Sequence, residues 1–527
     1  MNKEFIKRLT LAHGWIGLVF SGLLFIIFFA GSIALFRQEL YLWSMQPHAP
    51  VTNGSEITVE QALESAIASR DVDAKEHITI IFPSDTFYYY KAFVDIKDRE
   101  GTDQEHYDLL FIDPITGEVI SEGFKFNLGE FIYRLHYNLN IPNGKYVLGF
   151  VTLFFLFAII SGIFIHARKL ISNFFQYRGD KHKRSQLLDM HNVVGVISIP
   201  FTLMYAISGL IFNLVIIYQI AVALTIYGGD QRALLQDAGV QFIEPEWQDK
   251  PTERVNIDGL IAKVTQEYQG VAPRMLTIHN FGDESSVIRL RSEDTSELTT
   301  DYDSTYSLVD ESVVSKSDIE NPNSITIGTG VLRKLHYADY ASLSLRIVYF
   351  ILGLAVCGLI VTGNLLWIQK REKQRNHSTR TLAVARYMTM VSSVGIIFAT
   401  SVAFLCERLM PLNLANRTDV LGQVFWIALA ISAFIYILPS IQSHYKKAIS
   451  ATLLLSAGII FTTLLTSMWL FGDTLIGWIT NGNYIVLGVD IGLFISALLL
   501  AFIGVVILKK PAKVVEELPK ELNNVSV

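Results

Sequence analysis

The sequence predicts an all-α integral membrane bundle of about eight transmembrane helices, built on a duplicated two-helix unit, with two α+β domains outside the membrane. Of its 527 residues, 51% are hydrophobic and only 17% are charged, which is atypical of a soluble protein. Eight apolar runs are long enough to cross a hydrocarbon core of about 30 Å. Two long polar inserts, and the segments that follow them, are similar to each other, which indicates an internal repeat.

The apolar runs are expected to be helices. Only helices and closed barrels satisfy the backbone in lipid, and these runs lack the alternation of barrel strands. The expected spans are 11–36, 145–166, 190–220, 344–368, 384–405, 422–440, 450–471 and 484–508. The short loops on one side are rich in Lys and Arg, as are the N-terminus and the segment after the last span. The positive-inside rule therefore predicts that both termini are cytoplasmic.

The two polar inserts divide the chain into segments. The first insert, 37–143, follows transmembrane helix 1 in 1–36, and the second, 221–343, follows helices 2 and 3 in 144–220. Each contains an amphipathic helical pattern and then alternating strand patterns, as in SEITVEQALESAIASR and HYDLLFIDPITGEVIS of the first insert. The remaining segments are helix 4 in 344–370, a four-helix extension in 384–508 and a tail in 509–527.

The repeat continues from the inserts into the membrane. YRLHYNL precedes helix 2 and RKLHYAD precedes helix 4, so that His136 corresponds to His336. These helices end in the similar segments SGIFIHARK and TGNLLWIQKR, so that His166 corresponds to Trp367 in the repeat. Because each unit crosses the membrane an even number of times, both copies have the same orientation, and a pseudo-twofold axis along the membrane normal is expected.

Four histidines occur as two pairs in this repeat. His13 and His191 each begin an HxxxG motif where an apolar run starts, and His136 and His336 stand in the LHY segments. The axis places the first pair at one depth on the inner side and the second pair at one depth on the outer side. Two imidazoles across an axis can supply both axial nitrogens of a haem. The chain has no CxxCH, which favours b-type over c-type haem, and two haems are expected.

Other interpretations of these histidines stay open. A single histidine near a membrane interface is commonly an amphipathic interfacial residue. Zinc is an alternative to haem iron as the metal that these imidazoles bind, but structural zinc sites prefer four convergent Cys or His residues at short spacing. His166 lies at the inner end of helix 2, so that either His13 or His166 pairs with His191.

Small and cationic residues accompany the histidines. Gly17 and Gly195, one turn after His13 and His191, would let a porphyrin approach the helix backbone. Arg134 and Lys334 precede the outer histidines by two residues and are candidates for pairing with haem propionates, although an interfacial position explains basic residues equally well.

The C-terminal extension contains few ionisable residues. Glu407 and Arg408 lie near an outer helix end, and Asp490 lies about 10 Å into helix 8. An intramembrane carboxylate is a candidate functional group, or a group that is hydrogen-bonded to its neighbours. Cys357 and Cys406 lie in different helices without CxxC spacing, so neither a disulfide nor a thiolate metal site is expected. The net charge of −6 makes nucleic acid an unsuitable partner.

Several of these motifs together resemble the PepSY-associated transmembrane family. They are the HxxxG openings, the LHY segments, the strand-turn-strand FIDPITGEVIS and the pairs Ser161-Gly162, Ser208-Gly209 and Thr362-Gly363, and they cover roughly 1–370. The family includes bacterial inner-membrane reductases of ferric siderophores. The resemblance implies a multi-pass protein of the bacterial inner membrane, with a four-helix haem-binding core and PepSY-like periplasmic domains. It also implies that His13, His136, His166, His191 and His336 match the family's histidines.

The leading hypothesis is a haem b oxidoreductase in the lipid bilayer that passes electrons outward to a ferric siderophore or another ferric chelate. The chain has no GxGxxG after a strand, so a cytoplasmic flavoprotein or quinol would donate the electrons. One alternative is a transporter of siderophores or small molecules, which the repeat and the extra helices favour. Another is a non-enzymatic, membrane-anchored binding or regulatory protein.

Overall fold

The structure is a computed structural model of the chain. It describes residues 3–45, 54–96, 107–120, 127–167, 183–293, 297–298, 301–318, 323–374, 378–411, 414, 416–471 and 475–509, except for 241, 341, 439, 442–443 and 481. Residues 510–527 of the predicted tail 509–527, and residues 168–182 between predicted helices 2 and 3, lie outside the described residues.

The described part of the chain is mostly helical. Its helices are α1 (Lys3–Ala34), α2 (Arg37–Ser44), α3 (Val59–Ala68), α4 (Leu128–Asn138), α5 (Gly144–His166), α6 (Lys183–Ile197), α7 (Ile199–Ile226), α8 (Gln231–Asp237), α9 (Ile257–Glu267), α10 (Ser324–Tyr337), α11 (Leu343–Glu372), α12 (Thr379–Met390), α13 (Ile396–Leu409), α14 (Arg417–Ile437), α15 (Tyr445–Phe471), α16 (Leu475–Thr480) and α17 (Tyr484–Lys509). Among the described residues, eight spans are long and apolar enough to cross a membrane, which confirms the predicted helical membrane bundle. They are α1, α5, α7, α11, α12 with α13, α14, α15 and α17.

Two of these spans are irregular. The predicted span 190–220 is divided at Ser198 into α6 and α7, because Pro200 in the first turn of α7 has no N–H and cannot continue the hydrogen-bond ladder. The prediction of one uninterrupted helix over 190–220 was therefore wrong. A five-residue π-helical turn, Val391–Gly395, joins α12 to α13. Such turns widen the helix locally and often occur near functional sites.

The first four spans form a closed four-helix core. Helix α1 packs against α5 and α11, α5 packs against α7, and α6 packs against α11. The C-terminal spans pack on one another. Their π-helical turn contacts α1 of this core, and α17 contacts the short helix α2 that follows α1. One cluster of buried apolar side chains, from Leu24 in α1 to Ala497 in α17, runs through both halves. The C-terminal extension is therefore packed against the core.

In the part of the chain that the structure describes, the two polar inserts share one antiparallel sheet of eight strands. The strands are β1 (Ile78–Ile81), β2 (Tyr90–Asp95), β3 (Tyr107–Ile112), β4 (Val119–Ile120), β5 (Pro273–His279), β6 (Val287–Glu293), β7 (Asp301–Ser307) and β8 (Val313–Lys316). Their order is β4-β3-β2-β1-β5-β6-β7-β8. Helices α3 and α9, whose patterns the sequence analysis identified, bury one face together with Ile78, Ile80 and Ile278.

The sheet is joined at a seam between β1 and β5, which are the first strands of the two inserts and lie at the centre of the combined sheet. Thr79 pairs with Thr277, and their hydroxyls are 3.0 Å apart. The sequences around them, ITI at 78–80 and LTI at 276–278, are equivalent, so a local twofold axis passes through this pair. The sequence analysis expected the twofold relation but did not anticipate that the inserts share a sheet.

Candidate functional site

The two histidines of the LHY segments face each other at the end of the core that carries the sheet. His136 lies on α4 and His336 on α10, and their ring centroids are 6.0 Å apart. A metal–imidazole bond is about 2 Å. At the observed separation the two rings are close enough that they would both reach one metal ion placed between them.

Each of these two rings is held by a different partner on a core helix. His136 Nδ1 donates to Ile27 O of α1 at 2.8 Å. His336 Nδ1 lies 2.7 Å from Ser208 Oγ of α7, and Tyr205 Oη donates to His336 O at 2.9 Å. Helix packing therefore orients both rings, although the histidines themselves lie on short helices outside the spans.

The other two paired histidines lie on core helices and have equivalent partners. His13 Nδ1 is 2.9 Å from Ser161 Oγ of α5. His191 Nδ1 is 3.1 Å from Thr362 Oγ1 of α11. Ser161 and Thr362 occupy matching positions in the repeat, so the twofold relation extends from the sequence to the hydrogen bonds of this inner pair.

The hydroxyl partners determine which nitrogen of each ring carries the proton. Ser161, Thr362 and Ser208 donate their own hydrogens to backbone carbonyls at 3.0, 2.9 and 2.8 Å. Their oxygens are therefore acceptors for the imidazole Nδ1–H, and a carbonyl is the acceptor for His136. This network assigns the Nδ1–H tautomer to all four rings, which leaves the Nε2 lone pair available as a metal ligand.

Glycines provide the space for these rings. A Cβ at Gly31 would lie 2.6 Å from His136 Nδ1, and one at Gly363 would lie 3.2 Å from His191 Cε1. Gly162 has the same role beside His13, at 3.5 Å from Cε1. In contrast, a Cβ at Gly17 would meet no described atom within 4 Å. The glycines that face an imidazole thus lie on the helices that pack against the histidine, and not one turn after the histidine on its own helix, where the HxxxG motif had placed them.

A large cavity of about 2620 Å³ adjoins the outer pair inside the bundle. Both His136 and His336 line it, with aromatic side chains that include Phe155, Phe201 and Tyr205. It extends along the core to Thr362 and continues between the core and the C-terminal helices. An apolar, aromatic-lined cavity beside two oriented imidazoles suits a flat, largely apolar cofactor.

The cations near this cavity differ from those expected. Lys334 is buried, at 2% side-chain exposure, and pairs with Asp301 of β7 at 2.7 Å, so it attaches α10 to the sheet. Arg134 pairs with Glu130 on its own helix at 2.8 Å. The arginines that line the cavity near the outer pair include Arg37 and Arg346. Arg346 is already paired with Glu39 at 2.6 Å, whereas the Arg37 guanidinium lies 4.2 Å from the centroid of the Tyr133 ring. Arg37 is therefore better placed than Arg134 and Lys334 to meet a carboxylate of a molecule bound there.

His166 is the last residue of α5, and it is partly exposed. It lies within electrostatic range of His191, as does His13. His13 has a partner equivalent to that of His191, since Ser161 and Thr362 match in the repeat, in which His166 corresponds to Trp367. The symmetry therefore favours His13 as the counterpart of His191.

Asp490, the candidate intramembrane carboxylate, accepts a hydrogen bond from a side chain of α2. Trp43 Nε1 donates to Asp490 Oδ1 at 2.8 Å, and Arg408 donates to Trp43 O at 2.7 Å. The Arg408 guanidinium lies 3.3 Å from the centroid of the Trp43 ring. Beside them, Glu407 and Arg417 form a buried ion pair of 2.8 Å. These contacts attach the C-terminal bundle to α2, which favours the interpretation of Asp490 as a hydrogen-bonded structural group.

The sequence patterns did not predict the role of Gly31, nor that the hydroxyls of the Ser/Thr-Gly pairs orient the imidazoles. A signal for Gly31 was present, because Gly31 follows His13 by eighteen residues and Gly209 follows His191 by the same interval. Ser208 was noted in a Ser-Gly pair, but its counterpart in the first repeat is Ala30. His136 therefore uses the Ile27 carbonyl in place of a hydroxyl, and the sequence does not reveal such a backbone partner.

Comparison with known proteins supports the grouping suggested by these motifs. Residues 10–370 match the family model described as PepSY-associated TM region. A protein of Pseudomonas aeruginosa described as uncharacterized is 21% identical over 327 residues, which cover 58% of this chain and 79% of that protein. Because the family model covers more than half of the chain, the chain belongs to the family of the PepSY-associated TM region.

Proposed function

We propose that this member of the PepSY-associated family is a transmembrane oxidoreductase that holds two b-type haems and passes electrons across the membrane to a ferric chelate, such as a ferric siderophore. The observation that carries the proposal is the arrangement of four imidazoles as two symmetric pairs, each with Nδ1 bound and Nε2 available. Paired neutral imidazoles at two levels of one bundle are the ligand set of two bis-histidine haems.

In this proposal the protein residues bind the two haems and orient the imidazole ligands. His136 and His336 would hold the outer haem, and His13 and His191 the inner one. Ile27, Ser161, Ser208 and Thr362 fix the ring orientation, and partners of this kind also tune the basicity of the ligand. Haem supplies reversible one-electron chemistry when it is bound. Aromatic side chains line the cavity beside the ligands, and Arg37, which also lines it, would neutralise an acidic group of a bound molecule.

The electron donor in this proposal is a cytoplasmic flavoprotein or membrane quinol, and the acceptor is an external ferric chelate. The orientation is that of a bacterial inner-membrane protein with both termini in the cytoplasm, and the sheet lies on the periplasmic side. The basic residues at the end of α11, Lys370 and Arg371, support this orientation because they lie at the end opposite the sheet.

Absorption spectroscopy of the protein purified from haem-replete cells tests the proposal. We expect a Soret band and two haems per chain. His136→Ala and His336→Ala should each lose one haem and ferric-chelate reduction, and the double variant should be little worse than either single one, since the two residues act as a unit. His444→Ala replaces an exposed histidine elsewhere and is the matched control. Colourless wild-type protein would contradict the proposal.

The inner pair is tested in the same preparation. His191→Ala and His13→Ala should each lose the second haem, whereas His166→Ala should retain it. If His166→Ala loses that haem and His13→Ala keeps it, His166 is the ligand and the symmetric assignment is wrong.

A transporter is the second candidate function, and two observations favour it. The break at Ser198 with Pro200 and the π-helical turn Val391–Gly395 are helix irregularities of the kind that line transport pathways. Uptake of a ferric siderophore into proteoliposomes that contain the purified protein would support this function. Reduction of external ferric chelate without uptake would support the oxidoreductase.

A further inference from the structure

A row of ionisable side chains crosses the seam of the sheet, far from the paired histidines. Ile78 pairs with Val94 on one side and with Ile278 on the other, so that His77, one residue earlier, stands between Asp95 and His279. Side chains alternate between faces along a strand, so these three lie on the face opposite the apolar core of the sheet. The row joins both repeats, because His279 belongs to the second insert.

The side chains at this position converge on a small volume. One ligand atom each from Glu76, His77 and Asp95 lies within 4.8 Å of the other two. His77 Nδ1 is 3.7 Å from a carboxylate oxygen of Glu76. One imidazole with two carboxylates is a ligand set suited to a divalent first-row transition ion such as Zn²⁺.

His279 supplies a second imidazole next to this group. Its ring centroid is 4.1 Å from that of His77, and both rings line a pocket of about 190 Å³ with Glu244 and Arg289.

We propose that Glu76, His77 and Asp95 form a binding site for a divalent transition-metal ion at the seam of the sheet, adjacent to His279. Bound metal would link the segment before β1 to the end of β2 beside the junction of the two inserts. Since binding to the folded state stabilises it, the ion would strengthen the region where the two repeats meet. The site does not depend on the proposed electron-transfer function.

Calorimetric titration of the full-length protein with Zn²⁺ in detergent micelles tests this site. The protein should carry no histidine tag and should be compared with and without the metal in a thermal unfolding assay. We expect one saturable site per chain and a raised unfolding temperature. His77→Ala should weaken binding at least about tenfold, which corresponds to about 1.4 kcal/mol. His444→Ala, at an exposed histidine outside the sheet, should bind as the wild type does.

Two further variants keep the test decisive if His77→Ala fails to fold. Glu76→Gln and Asp95→Asn preserve shape and remove only charge, and each should weaken Zn²⁺ binding while the haem spectrum stays unchanged. Wild-type affinity in both of these variants, or the absence of any saturable Zn²⁺ site in the wild type, would overturn the proposal.

Discussion

Replacing Gly31 with alanine would test directly how the structure orients His136. The new Cβ would lie 2.6 Å from Nδ1 and 2.7 Å from Cε1 of the imidazole. Carbon contacts are comfortable at about 3.5–4.0 Å, so the ring must move by about 1 Å or α1 and α4 must separate. Such a shift would break the 2.8 Å hydrogen bond from Nδ1 to Ile27 O and misdirect Nε2.

The energetic cost of Gly31→Ala follows from three contributions. Overpacking of a dense interior costs about 1–3 kcal/mol. Loss of the hydrogen bond costs about 0.5–1.5 kcal/mol. Alanine restores about 1 kcal/mol through its better helix propensity. The expected net destabilisation is about 0.5–3.5 kcal/mol. The outer haem of the proposed function should be lost while the inner haem stays.

The assay measures haem per chain by absorption and stability by thermal unfolding. The matched control is Gly458→Ala, which makes the same substitution inside α15, where a Cβ would meet no described atom within 4 Å. The control should keep both haems and be at least as stable as the wild type. A Gly31→Ala protein with both haems and undiminished stability would refute the inferred role of Gly31.

Three other predictions follow from the structure. Glu407 and Arg417 form a buried pair with side-chain exposures of 0% and 2%. Glu407→Gln should destabilise the protein by about 3–5 kcal/mol, because it leaves the charge of Arg417 buried and uncompensated. The double variant Glu407→Gln/Arg417→Met should be destabilised less than this when unfolding is measured. Burial, with a smaller effect of a nearby arginine, lowers the pKa of Lys91 to about 7 from 10.5. Between about pH 7 and pH 10.5 the unfolded chain therefore binds more protons than the folded chain, so the stability should rise with pH across this window. Lys91→Met should raise the unfolding temperature more at about pH 6 than at about pH 10. Epitope tags in intact cells should be accessible at Ser312 and inaccessible at Lys183, and external labelling at Lys183 would reverse the orientation.

The amino-acid sequence alone determined the membrane architecture. Helices and strands depend on local periodicity, so the eight spans, the helices α3 and α9 and the turn at Asp113–Gly117 could be predicted from patterns of a few residues. The repeat also determined which histidines are equivalent, because His136 and His336 stand in matching segments. Their 6.0 Å separation in the structure agrees with that equivalence.

The tertiary structure decided everything that depends on contacts between distant segments. The seam between β1 and β5 joins residues about 200 positions apart, and neither strand pattern specifies which edge it pairs with. The tautomers of the four imidazoles depend on Ile27 O and on hydroxyls of other helices, and Asp490 is satisfied by Trp43, which is 447 residues away. Hydrogen bonds and close packing act over a few ångströms in space, and only the folded chain brings these groups within that range.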